Sequence, residues 1–216
     1  FLQNKLKNLS PKSKFNVIGN VVDKNFFKIK KSKNKKSSTK KFIIISELVK
    51  KKQIMELLQV FNYIKKEGLS FSLNIVGIGP EYISLKNYVN SNNLDKNVNF
   101  LLLKNKKQIS LLLDKSDYLI SCSKIETFGI TIAEAIVKGV PAIVLDSGGP
   151  NDFINSSNSF KVKNFSELKY VLSKIIKKNK IFNKKKMNKY IKNNFSEVAI
   201  MEKYTKILKK LNQWKY

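Results

Sequence analysis

The chain has 216 residues, 42% of them hydrophobic, which fits one ordinary domain, or one domain with appendages, built around a real core. Its formal net charge of +28 comes from 43 basic residues, all of them lysine, because the sequence contains no arginine. Proteins that read nucleic acid rely on arginine for bidentate contacts. The composition therefore argues against specific nucleic-acid binding and favours attraction to anionic surfaces and substrates.

Cysteine and histidine usage excludes further classes of protein. Histidine is absent, and the single Cys122 has no partner for a disulfide, which mildly favours a reducing compartment. No metal site is expected, because no cluster of Cys, His or acidic residues has ligand spacing. No run of about 18 apolar residues occurs, and no signal peptide is visible. We expect a cytoplasmic protein whose lysines allow peripheral contact with the anionic inner face of a membrane.

The first 41 residues carry few structural signals. Residues 1–14 are polar and basic without periodicity, so we expect an interdomain segment or a flexible start. Residues 15–18 form a short apolar run that predicts a strand, and residues 20–23 follow it. Residues 28–41 are rich in Lys and Ser with no apolar pattern, which predicts a solvated, mobile loop.

From residue 42 onward, short apolar runs alternate with helical patterns. Such strict alternation predicts an α/β protein with a doubly wound parallel sheet that is covered by helices on both faces, in the Rossmann-like manner. Three amphipathic helices follow the last strand. The predicted strands are 42–45, 71–76, 97–103, 118–121, 142–145 and 159–162, and the predicted helices are 54–63, 81–88, 108–113, 128–138, 165–177, 184–193 and 196–211.

The most informative stretch runs from residue 121 to residue 150, where a predicted strand passes into an apolar helix. Thr127 stands just before the apolar-periodic residues, as an N-cap residue would. Gly129 has no side chain, so a ligand can approach the backbone there. The first-turn N–H groups of a helix lack internal partners and lie at the positive end of its dipole. A helix start after a strand in such a sheet is therefore a ready phosphate site.

Two carboxylates flank this helix start. Glu134 lies about 1.5 turns inside the helix, and its side chain leans back toward the N-terminus. It can therefore meet a group attached to a bound phosphate, such as a ribose with two vicinal hydroxyls. Glu126 lies in the preceding loop and can accept hydrogen bonds from a polar group on the other side of the phosphate. On spacing alone, the favoured interpretation is that both residues are ordinary solvated carboxylates beside a buried helix.

The ordered set of motifs in this stretch is more specific than either carboxylate. Glu-Thr-Phe-Gly at 126–129, Ala-Glu-Ala at 133–135, Lys-Gly-Val-Pro at 138–141 and Gly-Gly-Pro at 148–150 follow one another. Together they resemble the signature of retaining nucleotide-sugar glycosyltransferases with two Rossmann-like domains, the GT-B class. More narrowly, they resemble family 4 of that class, with its two glutamates separated by seven residues.

The resemblance implies a donor site with assigned residues. It implies that Glu126 is catalytic, holding sugar hydroxyls and steadying positive charge at the anomeric carbon. The implied donor is a UDP- or GDP-sugar, used without a cofactor or metal, with transfer to a polysaccharide, glycolipid or lipid-linked acceptor. The implied donor-binding residues are Lys52, Phe128, Gly129, Ile130, Thr131, Glu134 and Gly148, with the ribose on Glu134.

The resemblance also implies a division of the chain. Residues 15–180 correspond to the Rossmann-like nucleotide-sugar-binding domain, and residues 181–216 to C-terminal helices that pack back toward a first domain. That first domain, which carries the acceptor pocket, is absent from this chain. We therefore expect the isolated chain to bind donor and to transfer sugar poorly or not at all.

One position departs from the family pattern. Members typically carry an Arg after the first strand and a Lys-Gly pair shortly afterwards, and both cations grip the diphosphate. Here Glu47 stands at the Arg position and Lys52-Gln53 replaces Lys-Gly, although Lys50 and Lys51 compete for the lysine assignment. A binding-only relic that needs a partner is the alternative function. A lysine-rich polyanion-binding protein is a third hypothesis, which rests on charge alone.

Overall fold

A computed structural model describes residues 2–29, 39–178 and 180–212 of the chain. Its centre is a six-stranded sheet in which every pair of neighbouring strands is parallel. This confirms the predicted α/β class with a doubly wound, Rossmann-like sheet. The strands are β1 (Lys40–Ile45), β2 (Phe71–Val76), β3 (Val98–Leu101), β4 (Tyr118–Ser121), β5 (Ala142–Leu145) and β6 (Ser159–Val162).

An α-helix follows each of the first four strands, a 3₁₀ helix lies between β5 and β6, and three α-helices follow the last strand. Three short 3₁₀ helices lie at Lys24–Phe26, Lys50–Lys52 and Gly149–Asp152. The α-helices are α1 (Leu2–Leu9), α2 (Ile54–Lys66), α3 (Tyr82–Ser91), α4 (Lys106–Leu113), α5 (Ile130–Val137), α6 (Phe165–Lys177), α7 (Lys184–Phe195) and α8 (Glu197–Asn212).

The spatial order of the strands is β3-β2-β1-β4-β5-β6. The chain winds outward in one direction from β1 to β3 and then returns to the other side of β1 with β4. The connection that follows β1 and the connection that follows β4 therefore run in opposite directions along the sheet. The topological switch point lies between these two strands. In open α/β sheets, ligands bind in the crevice at the carboxyl ends of the strands at this point.

Two buried clusters cover the two faces of the sheet. Alternate residues of β1 divide between them, because successive side chains of a strand point to opposite faces. Phe42 and Ile44 pack with α2, α3 and α6, whereas Ile43 packs with α5 and α7. Both faces of the sheet are thus buried, which explains why the strands have continuous apolar runs.

The C-terminal helix α7 is fixed to α5 through backbone groups. The Asn188 side-chain amide donates to the Val137 carbonyl at 2.6 Å and to the Phe27 carbonyl at 2.9 Å. Beside this contact, the Lys138 ammonium lies 2.7 Å from Asp114 Oδ1, with only 3% and 11% of the two side chains exposed. The segment before the sheet, the end of α5 and α7 therefore form one packed unit on one side of the sheet.

The N-terminal region differs from the sequence prediction. Residues 15–18 form no strand; they lie in an irregular segment that packs along the C-terminal helices, where Val22 N donates to the Phe195 carbonyl at 2.8 Å. Helix α1 occupies part of residues 1–14, where no periodicity was recognised. Lys40 and Lys41 belong to β1 rather than to the predicted loop, and residues 30–38 of that loop lie outside the described residues.

No helix formed by the described residues combines the length and the apolar character that crossing a membrane requires.

Candidate functional site

A cavity of about 310 Å³ lies at the carboxyl ends of β1 and β4, at the topological switch point. We call it the switch cavity. Its walls come from the ends of the two strands, the 3₁₀ helix after β1 and the start of α5. The residues that line it are Ile44, Ile45, Ser46, Glu47, Lys51, Lys52, Ile120, Ser121, Cys122, Ser123, Glu126, Gly129, Ile130 and Thr131.

The start of α5 borders the switch cavity. The predicted N-cap Thr127 is wrong: the cap position is Gly129, whose φ of 82° lies in the left-handed region, and no side chain caps the helix. The helical ladder begins where Ile132 N donates to the Gly129 carbonyl at 3.0 Å. The N–H groups of Ile130 and Thr131 therefore precede the ladder and leave the helix start open to an anion.

Glu126 is held at the cavity by one of its two carboxylate oxygens. Oε1 accepts hydrogen bonds from the Ser123 hydroxyl at 2.7 Å and from the Lys52 ammonium. The side chains of Lys52 and Glu126 are only 16% and 20% exposed, so this ion pair is partly buried. The arrangement fixes the carboxylate and neutralises its charge while Oε2 takes no part in these contacts.

The loop of Glu126 is braced by the double-glycine turn after β5. Glu126 N donates to the Ser147 carbonyl at 2.9 Å, and Gly149 N donates to the Glu126 carbonyl at 2.8 Å. Gly148 sits between these bonds with a φ of 98°. A Cβ on Gly149 would overlap the Thr127 carbonyl. Gly148 therefore forms the turn that supports Glu126 from behind, and it is absent from the lining of the switch cavity.

Glu134 lies on the buried face of α5, with 1% of its surface exposed. Its Oε1 accepts a hydrogen bond from the Lys106 ammonium, and its Oε2 is buried without a partner. Burial raises the pKa of Glu134 above its usual range, and the contact with Lys106 opposes that shift. A buried carboxylate oxygen without a donor is unfavourable unless a ligand supplies one.

Glu134 lines a second and larger cavity of about 1070 Å³, which we call the helix cavity because α7 and α8 form one wall. Ile130 lines both cavities, so the switch cavity and the helix cavity meet at the start of α5. The residues that line the helix cavity are Val21, Val22, Asp23, Lys24, Phe27, Lys106, Ile130, Glu134, Lys192, Asn193, Ser196, Glu197, Val198, Ala199 and Glu202.

The other predicted residues occupy different surroundings. The Phe128 ring packs against Phe153 and Phe195 with centroid separations of 5.1 and 5.2 Å, so it anchors the helix start in the core. It does not line either cavity. Glu47 is exposed and lines the switch cavity beside Lys51 and Lys52. Glu47, which replaces the Arg that is typical of the family, thus lies at the wall of the switch cavity.

Two site residues were not recognised in the sequence: Lys106 and Ser123. Ser123 carries no distinctive pattern, because serine is abundant throughout the chain. Lys106 had a usable signal. Asn105 and Gln108 form a capping box, and its spacing marks the start of α4 at Lys106 rather than at residue 108.

Within the ranges that the structure describes, no group of three or more His, Cys, Asp or Glu side chains is arranged to hold a metal ion. The sole cysteine, Cys122, is buried at the end of β4, and burial raises the pKa of its thiol. The charged groups of the site are therefore carboxylates and lysine ammoniums.

The strand order and the open helix start at the switch point define a Rossmann-like domain of the GT-B glycosyltransferase fold. The family model for "Glycosyl transferases group 1" matches residues 25–197, which is most of the chain. The chain belongs to that family.

The chain is also similar to curated proteins in sequence and to solved proteins in fold. The chain is 29% identical over 157 residues to N-acetyl-alpha-D-glucosaminyl L-malate synthase of Bacillus anthracis, an alignment that covers 70% of this chain and 40% of the relative. It is similar in structure to a mutant of Staphylococcus aureus TarM that was solved in complex with fondaparinux, alpha-GlcNAc-glycerol and UDP. That match has a TM-score of 0.75 and 21% identity, and it covers 94% of this chain and 41% of TarM.

A second solved structure, the apo form of the lipopolysaccharide outer core galactosyltransferase WaaB, matches with a TM-score of 0.76 and 18% identity. That match covers 95% of this chain and 59% of WaaB. The chain thus spans between two fifths and three fifths of the length of these three proteins.

Proposed function

We propose that this chain is the donor-binding half of a retaining family 4 glycosyltransferase, and that it binds a nucleoside-diphosphate sugar across the two cavities. One observation carries the proposal: the open start of α5 lies between a cavity lined by Glu126 and a cavity lined by Glu134. In this arrangement the ribose hydroxyls bond to Glu134, the diphosphate lies at the amides of Ile130 and Thr131, and the sugar lies beside Glu126.

Charge complementarity supports the phosphate position. The positive end of the α5 dipole and the ammoniums of Lys51 and Lys52 all border the switch cavity. Lys52 already neutralises Glu126, so in the proposed complex it bridges the sugar-binding carboxylate and the phosphate. Gly129 lets the diphosphate approach the backbone, and the Gly148 turn supports the Glu126 loop rather than contacting the donor.

The proposed reaction retains the configuration at the anomeric carbon. The bond from that carbon to the diphosphate oxygen breaks, the acceptor oxygen bonds to the carbon from the same face, and the leaving phosphate takes the acceptor proton. Glu126 steadies positive charge at the anomeric carbon, while the helix start and the lysines stabilise the departing diphosphate. No metal or cofactor takes part in this scheme.

UDP is the nucleotide to test first, because the TarM structure contains UDP. GDP remains the other candidate. The proposed acceptor is a polysaccharide, glycolipid or lipid-linked molecule, in keeping with the lipopolysaccharide galactosyltransferase WaaB.

We further propose that a first GT-B domain supplies the acceptor pocket. Val198, Met201, Tyr204 and Leu208 follow one another at intervals of three or four residues along α8 and are 68%, 58%, 47% and 58% exposed. Such an apolar stripe suits a domain contact. A neighbouring reading frame, or a longer version of this chain, that encodes a second α/β domain supports this proposal. Full sugar transfer by the isolated chain would contradict it.

The proposed location is the cytoplasm, with the lysine-rich surface resting on the anionic inner face of a membrane. Co-sedimentation with lipid vesicles tests the contact. Binding is expected only to vesicles that contain anionic lipid and is expected to weaken with salt, whereas equal binding to neutral vesicles would contradict the proposal.

Calorimetric titration with UDP, GDP and their common sugars tests the donor site. Wild type is compared with Glu134→Gln, which keeps the side-chain size, and with Glu81→Gln, whose side chain lies outside both cavities. We expect saturable binding of one nucleotide that weakens about tenfold or more in Glu134→Gln and is unchanged in Glu81→Gln. Absence of binding by the folded wild type at millimolar nucleotide would overturn the proposal.

The exposed carboxylate of Glu47 at the switch cavity favours a second candidate, a binding-only relic with reduced affinity for donor. Glu47→Gln removes the negative charge, and Glu47→Arg restores the cation typical of the family. If Glu47 impairs the site, UDP affinity rises about threefold in Glu47→Gln and further in Glu47→Arg, because an exposed charge acts through screened interactions. Equal affinity of all three proteins would remove the argument for a relic.

A further inference from the structure

Lys106 occupies an unusual position for a lysine. It is the first residue of α4, immediately after the cap residue Asn105. A cation there is disfavoured, because the helix dipole is positive at that end. The backbone around it is well fixed, since Gln108 N donates to Asn105 Oδ1 and Asn105 N donates to Gln108 Oε1, both at 3.0 Å. Lys106 thus departs from the usual preference against cations at a helix N-terminus, at a position where hydrogen bonds fix the backbone.

The Lys106 ammonium is held by two partners across the helix cavity. It donates to Glu134 Oε1, and it lies 5.6 Å from the centre of the fully buried Phe26 ring. The Lys106 side chain is nevertheless 49% exposed. One end of this contact is therefore accessible from the cavity, while the other end, Glu134, is almost completely buried.

The contact with Lys106 involves only one of the two carboxylate oxygens of Glu134. Oε1 is occupied by Lys106, and Oε2 is buried without any hydrogen-bond partner. A buried ionised carboxylate with a bare oxygen costs free energy that a donor from a ligand would recover. Vicinal hydroxyls are such donors, and Glu134 is among the residues that line the cavity of about 1070 Å³.

We propose that Lys106 is a positioning residue of the donor site: it keeps Glu134 ionised and in one orientation, so that Oε2 is the acceptor for the ribose hydroxyls. This inference rests on the proposed function. It assigns to Lys106 no contact with the donor; its action passes through the carboxylate that it holds.

Other charged groups face Glu134 from the elements around the helix cavity. Asp23, before the first 3₁₀ helix, acts with burial to raise the pKa of Glu134. Lys24 belongs to that 3₁₀ helix, and Lys192 belongs to α7. Glu197 and Glu202 of α8 add negative charge to the opposite wall. Lys106 makes the one hydrogen bond to the Glu134 carboxylate that the described side chains provide.

Without Lys106, burial and the Asp23 carboxylate would act on Glu134 without the hydrogen bond and the charge that oppose them in the wild type. Its pKa would rise further, and the carboxyl group would be protonated at a pH where the wild-type group is ionised. A protonated Glu134 offers fewer acceptor sites to the ribose. Nucleotide binding by a variant that lacks Lys106 should therefore fail first on the acid side of neutrality.

The test is the pH dependence of UDP binding between pH 5 and pH 8, measured by calorimetry on Lys106→Met, Lys106→Arg and Lys107→Met. Lys107 is the matched control, because it is exposed, lies next in the same helix and does not line the helix cavity. UDP affinity is expected to fall on the acid side of the pH profile. In Lys106→Met we expect this fall to begin about one pH unit higher than in the wild type, which is a further tenfold loss of affinity at the acid end. In Lys106→Arg and in Lys107→Met the fall should begin at the wild-type pH.

If UDP affinity falls at the same pH in Lys106→Met and in Lys107→Met, the proposed role of Lys106 is overturned. If the wild type binds neither UDP nor GDP, the proposed function fails, and the claim about Lys106 is decided separately in the unliganded protein. Carbon-13 NMR of the glutamate carboxyl groups, assigned with Glu134→Gln, then follows the titration of Glu134. An upward move in Lys106→Met supports the role, and an unchanged titration refutes it.

Discussion

The charged residues of this chain fall into two groups that the structure treats very differently. Most of its lysines lie on solvated surfaces, in keeping with the net charge of +28. A few are paired in places where burial makes the partner necessary: Lys52 with Glu126, Lys106 with Glu134, and Lys138 with Asp114. The first two pairs border the cavities. The third is a purely structural pair and can be tested by itself.

Replacing Lys138 by Met should strongly destabilise the fold. The change leaves Asp114 buried without its cation and removes the hydrogen bond from the Lys138 ammonium to the Lys28 carbonyl. We expect a loss of about 3–5 kcal/mol in the free energy of unfolding, measured by urea denaturation. The control is Lys161→Met, which breaks the half-exposed pair with Asp146 and should cost less than about 1 kcal/mol. Similar losses in the two variants would contradict this account.

Glu134 should make the stability depend on pH in a defined direction. Because burial raises its pKa in the folded state, the folded protein binds this proton more tightly than the unfolded chain does. The resulting stabilisation is complete below the unfolded pKa of about 4.3 and is lost as the pH rises through the folded value.

The free energy of unfolding of the wild type should therefore fall, relative to that of Glu134→Gln, as the pH rises above about 4. Urea titrations of both proteins at each pH measure the difference. Parallel stability profiles for the two proteins would show that Glu134 has an ordinary pKa.

The start of α5 is the element on which the proposed donor site depends most. Its capping residue is a glycine in the left-handed region, so no side chain covers the first amides. Gly129 is also tightly enclosed, since a Cβ there would lie 2.8 Å from Pro150 Cγ and 2.9 Å from Ile132 Cδ1.

Gly129→Ala should therefore cost more stability than Gly68→Ala. Gly68 has a similar φ of 72°, but a Cβ there would meet nothing within 4 Å. We expect about 1–2 kcal/mol for Gly68→Ala from backbone strain alone, and about 1–3 kcal/mol more for Gly129→Ala from the added clash. Thermal and urea unfolding of both variants measure the difference. Equal losses of stability in the two variants would show that the residues around Gly129 move to accommodate the added Cβ.

The sequence predicted the elements well where hydrophobic periodicity was strong, and poorly where a contact decided the structure. The alternation of strands and helices from β1 to β5 and the last strand β6 were confirmed, because both faces of the sheet are buried and the apolar runs are unambiguous. The predicted strand at 15–18 was wrong, since that segment packs along α7 and α8 and has no strand neighbour. Thr127 was a reasonable cap from its residue type, but the tight turn moved the cap to Gly129.

At the site, the sequence indicated residue types but not their partners. Spacing and helix geometry placed Glu126 and Glu134 on either side of one helix start, as the structure has them. The partners Lys106 and Ser123 come from distant or featureless positions, and only the fold brings them to the carboxylates. Phe128 belongs to the same motif as Gly129, yet its ring packs in the core, because neighbouring residues at a helix start point in different directions.

At the scale of the whole molecule, the strand order concentrates the site in one place. The carboxyl ends of β1 and β4 separate at the switch point, and the loops that follow them carry Lys51, Lys52 and Glu126. The helix cavity then extends this crevice toward α7 and α8. A donor that spans both cavities would lie in the crevice at the carboxyl ends of the strands, where Rossmann-like folds bind their ligands.

The most direct test of the donor site follows the backbone amides of nitrogen-15-labelled protein by NMR during a UDP titration. The account predicts saturable shifts that are largest at Gly129, Ile130 and Thr131, with smaller shifts at Lys106 and Glu134. Glu134→Gln should bind UDP more weakly, while the same amides show the largest shifts. Saturable shifts confined to the lysine-rich faces of α6 and α7, or a folded protein whose α5 amides do not respond to millimolar UDP or GDP, would contradict it.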